Sequence, residues 1–166
     1  MPAPRNDAPR IDDPRIEQVI QTHYDMVFRL AYARTGNGPD AEDIVQEVFL
    51  RFIRRQPVFA DPEHEKAWFL RVAINCSRTL FVRRTKHPWT MLGDHDAVSS
   101  DPSSELADLL SRLPEKYRVV IHLFYYEDLR IKDIAQLLER KESTVKMQLT
   151  RARRLLKAYL EDEADV

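Results

Sequence analysis

The sequence predicts an all-α protein of two small helical domains joined by a flexible linker. Three observations carry this. Apolar residues recur at spacings of three and four along every long segment. The chain has only three glycines, and most of its ten prolines stand at the ends of those segments. Around residues 87–103 the periodicity stops, and Pro88, Gly93, Ser99, Ser100 and Pro102 take its place. A length of 166 residues then divides into two units, each near the lower size limit for independent folding.

Each element has a local reason. Residues 1–14 are rich in Pro, Asp and Arg and are expected to be disordered. A first helix over 15–34 buries Ile16, Val19, Ile20, Tyr24, Val27, Phe28, Ala31 and Tyr32, and Gly36-Asn37-Gly38-Pro39 ends it. Asp40 is the expected cap of a second helix running to Arg55, with Ile44, Val45, Val48, Phe49, Phe52 and Ile53 apolar. Asp61-Pro62-Glu63 starts a third, carrying Trp68, Phe69, Val72, Ala73, Cys76, Leu80 and Phe81 and closing on Arg83-Arg84-Thr85-Lys86. The first domain is thus 15–86 and the linker 87–103. The second domain, 104–162, is read as helices over 104–112, 114–126, 131–138 and 142–161.

The last two of these form the most informative stretch. Ile131, Ile134, Ala135, Leu137 and Leu138 make a short apolar-periodic helix, and Glu139-Arg140-Lys141 is the break. Val145, Leu149, Ala152 and Leu156 then share one face of a helix otherwise studded with Lys146, Arg151, Arg153, Arg154 and Lys157. Two helices, a tight turn and a basic second helix describe a helix-turn-helix, whose second helix enters the DNA major groove. Three features of the turn are unusual. Glu139 stands where Gly is common, Arg140 where an apolar residue is expected, and Lys141 where a capping Ser is usual.

A formal net charge of −1 hides segregation. Asp40, Glu42, Asp43 and Glu47 cluster early, Glu161, Asp162, Glu163 and Asp165 come last, and basic residues gather elsewhere, a pattern that suits two partners of opposite charge. The single cysteine, Cys76, excludes an internal disulfide and reads as a packed thiol. No apolar run approaches the roughly 20 residues needed to span a bilayer, and the N-terminus lacks a signal-peptide core. A reduced, cytoplasmic protein without membrane insertion is expected. His87, Asp94, His95 and Asp96 read as a polar linker, because no ligand quartet with helical or strand support surrounds them. No cofactor or metal is expected. Without a Gly-rich phosphate loop or an activated nucleophile, an enzyme is disfavoured.

Several motifs now stand in order: Asp40-Ala41-Glu42-Asp43-Ile44-Val45-Gln46-Glu47-Val48-Phe49, Trp68-Phe69-Leu70-Arg71-Val72-Ala73-Ile74-Asn75, the linker, Leu113-Pro114-Glu115-Lys116-Tyr117-Arg118, and the helix-turn-helix. This order resembles the extracytoplasmic-function (ECF) sigma factors of the bacterial sigma-70 family over roughly residues 16–160. The resemblance implies a region 2-like bundle and a region 4-like helix-turn-helix domain. It also implies a bacterial cytoplasmic protein that binds core RNA polymerase, directs it to promoter DNA and performs no chemistry itself. Family members are commonly restrained by an anti-sigma factor, which makes one an expected partner.

The resemblance assigns roles by position. Asp43, Gln46 and Glu47 share a helical face and match polymerase-docking positions. Phe49 joins them as an anchor if exposed, and is core otherwise. Arg71, Asn75, Arg78 and Thr79 form a polar stripe that matches the reader of the minus-10 element as a single strand, with the loop from Phe59 to Glu65 helping to form a base pocket. Trp68 is read as core. Lys146, Met147, Thr150 and Arg151 project toward the groove and match the minus-35 reader, Arg151 foremost. Arg153, Arg154 and Lys157 read equally as a solvated basic face. The alternative is a helix-turn-helix regulator that binds duplex operator DNA without polymerase.

Overall fold

The computed structural model describes residues 12–86 and 105–166, and every regular element among them is helical. Helices α1 (Pro14–Thr35), α2 (Gly38–Arg55) and α3 (Pro62–Lys86) form an N-terminal bundle. Helices α4 (Glu105–Arg112), α5 (Glu115–Ile121), α6 (Ile131–Leu138) and α7 (Glu142–Ala164) form the C-terminal unit. The expectations for residues 1–11 and for the linker, including His87, Asp94, His95 and Asp96, lie outside the described residues.

Most helix ends follow their local signals. Asp13 caps α1 by accepting the Arg15 N–H at 2.9 Å. Gly36 closes it in the left-handed region at φ 73°, where its N–H donates to the Tyr32 carbonyl. Asp61 caps α3 by accepting the His64 N–H at 2.7 Å. The start of α2 corrects the sequence reading. Its cap is Asn37, whose Oδ1 accepts the Asp40 N–H at 2.9 Å. Pro39 fits inside the first turn because an N–H there has no intrahelical partner to lose. Asp40 is therefore inside the helix, buried, and paired with Arg84 of α3.

Phe69 centres the N-terminal bundle. Fully buried, its ring lies 4.5 Å from His23, 5.6 Å from Phe49, 5.4 Å from Phe52 and 5.0 Å from Trp68, centroid to centroid. Trp68 packs edge-on against Phe52 and Phe59, in keeping with a core role. Cys76 is buried as expected, and burial pushes its thiol up to about 11. A thiol reagent at pH 8 is therefore expected to leave the folded chain unmodified and to react fully in denaturant. Rapid reaction of the native protein would contradict the packed thiol.

In the C-terminal unit α5 does not run on to Tyr126 as one α-helix. His122–Tyr126 form a π-helical turn closed by the Glu127 N–H on the His122 carbonyl at 3.2 Å. Leu123 is buried by it, while Tyr125 and Tyr126 remain exposed. The helix-turn-helix core is Ile134, Leu138, Val145, Leu149 and Ala152, all buried. The two units touch through α1 against α5 and α3 against α6, and one apolar cluster runs through both.

Candidate functional site

Three faces carry the residues singled out in the sequence. The first is on α2. Asp43 and Gln46 are exposed, and Glu47 is half-exposed with its carboxylate accepting from Arg51 Nε at 2.9 Å. Phe49 is not an exposed anchor. It is 6% exposed, with its ring 6.4 Å from that of Tyr24, because position 49 falls on the apolar face shared by Val45, Val48 and Phe52. The exposed apolar residue on the acidic face is Leu50, four residues beyond Gln46 and three beyond Glu47. That spacing was readable in the sequence, but exposure was needed to separate position 49 from position 50.

The second face is on α3. Arg71, Asn75 and Thr79 are exposed, and Thr79 Oγ1 donates to the Asn75 carbonyl at 3.1 Å. Arg78 is half-buried. It reaches Asn75 Oδ1 at 3.4 Å, the Leu138 carbonyl at 3.1 Å and the Glu139 carboxylate at 3.3 Å. Three members of the stripe are therefore open, and the fourth is engaged by the helix-turn-helix. The loop before α3 is held locally: the Ala60 N–H donates to His64 Nδ1 at 3.1 Å, and the Phe59 ring lies 5.9 Å from that of Trp68.

The third face is on α7. Lys146, Met147, Thr150 and Arg151 are all exposed, and Thr150 Oγ1 donates to the Lys146 carbonyl at 3.0 Å. The Arg151 guanidinium beside the Tyr117 hydroxyl holds that phenol below its ordinary pKa. Arg153 leaves the basic face: its Nε donates to Tyr125 Oη at 2.8 Å, and the guanidinium lies over the Phe124 and Tyr125 rings. Lys141, the cap residue of α7, supplies no side-chain bond, so no side chain caps the first-turn N–H groups from that position.

The unusual turn proves to be a working turn. Glu139 takes the left-handed conformation at φ 54° and ψ 48° that Gly would occupy, and the Arg140 N–H donates to the Ala135 carbonyl at 2.9 Å. Arg140 does not simply reach for solvent. Its guanidinium donates to Oε1 of buried Gln148 at 2.9 Å, tying the turn to α7, and burial lowers its pKa. Arg140 and Gln148 stand eight residues apart in the sequence, on either side of the start of α7, and here they form one pair.

A helix-turn-helix with an exposed basic second helix defines a DNA-directed protein. The acidic α2 face and polar α3 stripe on a separate bundle make it a protein of two units with distinct surfaces. Comparison with known proteins agrees. The family model described as sigma-70 region 2 matches residues 19–87, and that described as sigma-70, region 4 matches residues 103–156. The chain is 29% identical over 150 residues to the RNA polymerase sigma factor SigV of Bacillus subtilis, covering 87% of this chain and 90% of that protein. It is 30% identical over 153 residues to the ECF RNA polymerase sigma factor SigL of Mycobacterium tuberculosis, covering 84% of this chain and 85% of SigL. The fold is similar to that of the sigma factor RpoE of Bartonella quintana, solved in complex with the anti-sigma factor NepR. The TM-score is 0.72 at 19% identity, over 89% of this chain and 97% of that one. This chain belongs to the ECF RNA polymerase sigma factors.

Proposed function

We propose that this sigma factor engages core RNA polymerase and promoter DNA through three separate faces. The acidic face of α2, with Asp43, Gln46, Glu47 and Leu50, docks on the polymerase. The α3 stripe, Arg71, Asn75, Arg78 and Thr79, reads the minus-10 element as the strands part, with Asn75 offering a donor and an acceptor to one base edge. The α7 face, Lys146, Met147, Thr150 and Arg151, reads the minus-35 element in the duplex. The observation that carries this reading is the exposure of Asp43, Gln46, Arg71, Asn75, Thr79, Lys146, Thr150 and Arg151 on three different helices, with the apolar periodic residues beneath them buried.

Near-neutral net charge is compatible with this division of labour. The protein need not bind DNA tightly alone, because polymerase presents both units to the same DNA and supplies the effective concentration. The chain does no covalent work in this scheme; polymerase makes the RNA. An anti-sigma partner of the kind named for the RpoE structure is proposed for this chain too. Among the described residues no helix is long and apolar enough to cross a membrane. A cytoplasmic site of action is part of the proposal, since polymerase and promoter DNA are there.

The test is transcription from a genomic fragment library by core polymerase with and without the purified chain. Start sites that need both are expected. Tight, specific duplex binding by the chain alone, with no new start sites, would support the operator-binding regulator instead. Glu47→Ala is expected to weaken polymerase binding by about 1 kcal/mol while leaving promoter preference unchanged. Unchanged polymerase affinity in a titration would remove Glu47 from the interface.

A further inference from the structure

The basic residues of α7 do not end at Arg151. Arg153, Arg154 and Lys157 follow it, and the structure separates the three. Arg153 donates to Tyr125 Oη at 2.8 Å and lies over the rings of Phe124 and Tyr125. Lys157 has Glu161 one turn on, with Nζ 3.8 Å from its carboxylate. Arg154 is exposed, and no ion pair engages it among the described residues. The neighbouring acids are committed elsewhere, Glu161 to Lys157 and Glu163 to Arg112.

The direction of Arg154 follows from helix geometry. The helix is unbroken from Glu142 to Ala164, and Val145, Gln148, Leu149 and Ala152 are its buried residues. Successive side chains are turned by about 100° around the axis. Arg154 therefore stands about 170° from the middle of the buried arc. It stands within about 10° of the middle of the arc shared by Lys146, Met147, Thr150 and Arg151. It points where those four residues point and differs from them only in position along the axis. It lies about 6 Å beyond Thr150 and about 10 Å beyond Met147 at a rise of about 1.5 Å per residue.

That displacement decides what it can touch. A recognition helix meets base edges with its N-terminal residues. The major groove is about 12 Å wide, and the two backbones form its rims. A side chain about 10 Å past the first base-reading turn has left the groove floor and stands at a rim, where the acceptors are phosphate oxygens. The charge pattern sets the far limit. Beyond Lys157 the helix turns acidic, with Glu161, Asp162 and Glu163 all exposed, and these acids repel a phosphate backbone. Arg154 is the last cation before that boundary that no acid or ring engages among the described residues.

We infer that Arg154 grips a backbone phosphate at the edge of the minus-35 element and adds affinity without sequence preference. The inference rests on the assignment of α7 to the minus-35 duplex. It gives the helix two tasks in succession. Lys146 to Arg151 read the bases, and Arg154 holds the rim and so fixes how deeply they enter. The guanidinium suits the task, since its fork of N–H donors fits two phosphate oxygens at once.

The test is binding of holoenzyme, assembled from core polymerase and the full chain, to a promoter recovered from the fragment library. A panel of fragments carries single base-pair changes in the minus-35 element, and binding is measured from 0.1 to 0.5 M salt, about the range over which counterion release is read. Arg154 is exposed, so Arg154→Ala is expected to keep the wild-type melting curve by circular dichroism. It should weaken binding about eightfold at 0.1 M salt and about twofold at 0.5 M, the dependence for one lost phosphate contact. The deficit should be the same on every fragment, whereas that of Arg151→Ala should depend on the base pair. Arg154→Lys should restore most of the binding, because an ammonium still meets a phosphate as a point charge.

Binding by Arg154→Ala equal to wild type at every salt concentration would overturn the phosphate contact alone. A deficit confined to particular base pairs, or one that Arg154→Lys leaves unrepaired, would make Arg154 a base reader and overturn it as well. If the wild-type chain yields no polymerase-dependent start sites, the assignment of α7 fails and the inference falls with it.

Discussion

Phe69→Ala is expected to destabilise the N-terminal bundle by about 3–5 kcal/mol. The ring is fully buried and lies within 6.4 Å, centroid to centroid, of His23, Phe49, Phe52, Phe59 and Trp68. No neighbour can fill the space without leaving its own contacts, so a cavity remains. Domains of this size have roughly 5–15 kcal/mol of stability in total, and such a loss takes a large share of it. The consequence for function is indirect but wide. Phe49 and Phe52 support α2 beneath its acidic face, and Phe59 and Trp68 hold the loop ahead of the α3 stripe. Urea unfolding followed by circular dichroism measures the loss. Phe69→Leu should lose much less, and a Phe69→Ala midpoint close to wild type would show that this ring is not the keystone of the bundle.

Arg151→Ala has the second large expected effect, on DNA and not on folding. Arg151 is exposed on α7, its guanidinium beside the Tyr117 hydroxyl and open to solvent, where a base edge or phosphate can replace that neighbour. Its loss is expected to weaken use of the minus-35 element by about 1–3 kcal/mol, or roughly five- to 150-fold. The measurement is holoenzyme binding to templates with an intact or a scrambled minus-35 element. The deficit should vanish on the scrambled template, since the interaction is then already absent. An equal deficit on both templates would mean a non-specific charge effect. Arg153→Ala is the informative comparison. Its guanidinium is occupied by Tyr125 and Phe124, so promoter preference should be nearly unchanged.

The contrast between these two arginines illustrates what could be read from sequence. Helical periodicity separated Val145, Leu149 and Ala152 from the polar residues of α7, because one-sided burial imposes a 3.6-residue period on composition. Periodicity could not tell Arg151 from Arg153. Both lie off the apolar stripe, and only the position of the π-helical turn, which brings Tyr125 beneath Arg153, separates them. The same limit applied to Phe49 and Leu50. Both are apolar, adjacent and close to the boundary of the buried face, and a rotation of one residue decides which meets solvent.

The caps show another kind of limit. Asp13, Gly36 and Asp61 behave as their local chemistry requires, because each acts within three or four residues. Asn37 and Asp40 were both chemically able to cap α2, and the choice followed a longer-range demand. Asp40 is drawn into the bundle by Arg84, some forty residues later, and Asn37 takes the cap.

By itself the sequence determined the helical class, the two units, the order of the motifs and the polarity of each face. These depend on local propensity, capping and periodic burial, which any short window of the chain contains. Tertiary structure alone decided which polar residues remain free. Arg140 is joined to Gln148, Arg153 to Tyr125 and Arg78 to the turn at Glu139. Each pairing brings together groups whose separation in sequence carries no signal, and it is settled only when packing fixes where one helix meets another. The turn at Glu139, odd as a sequence, is where that decision matters most: it closes the helix-turn-helix and reaches across to Arg78 on the polar stripe of α3.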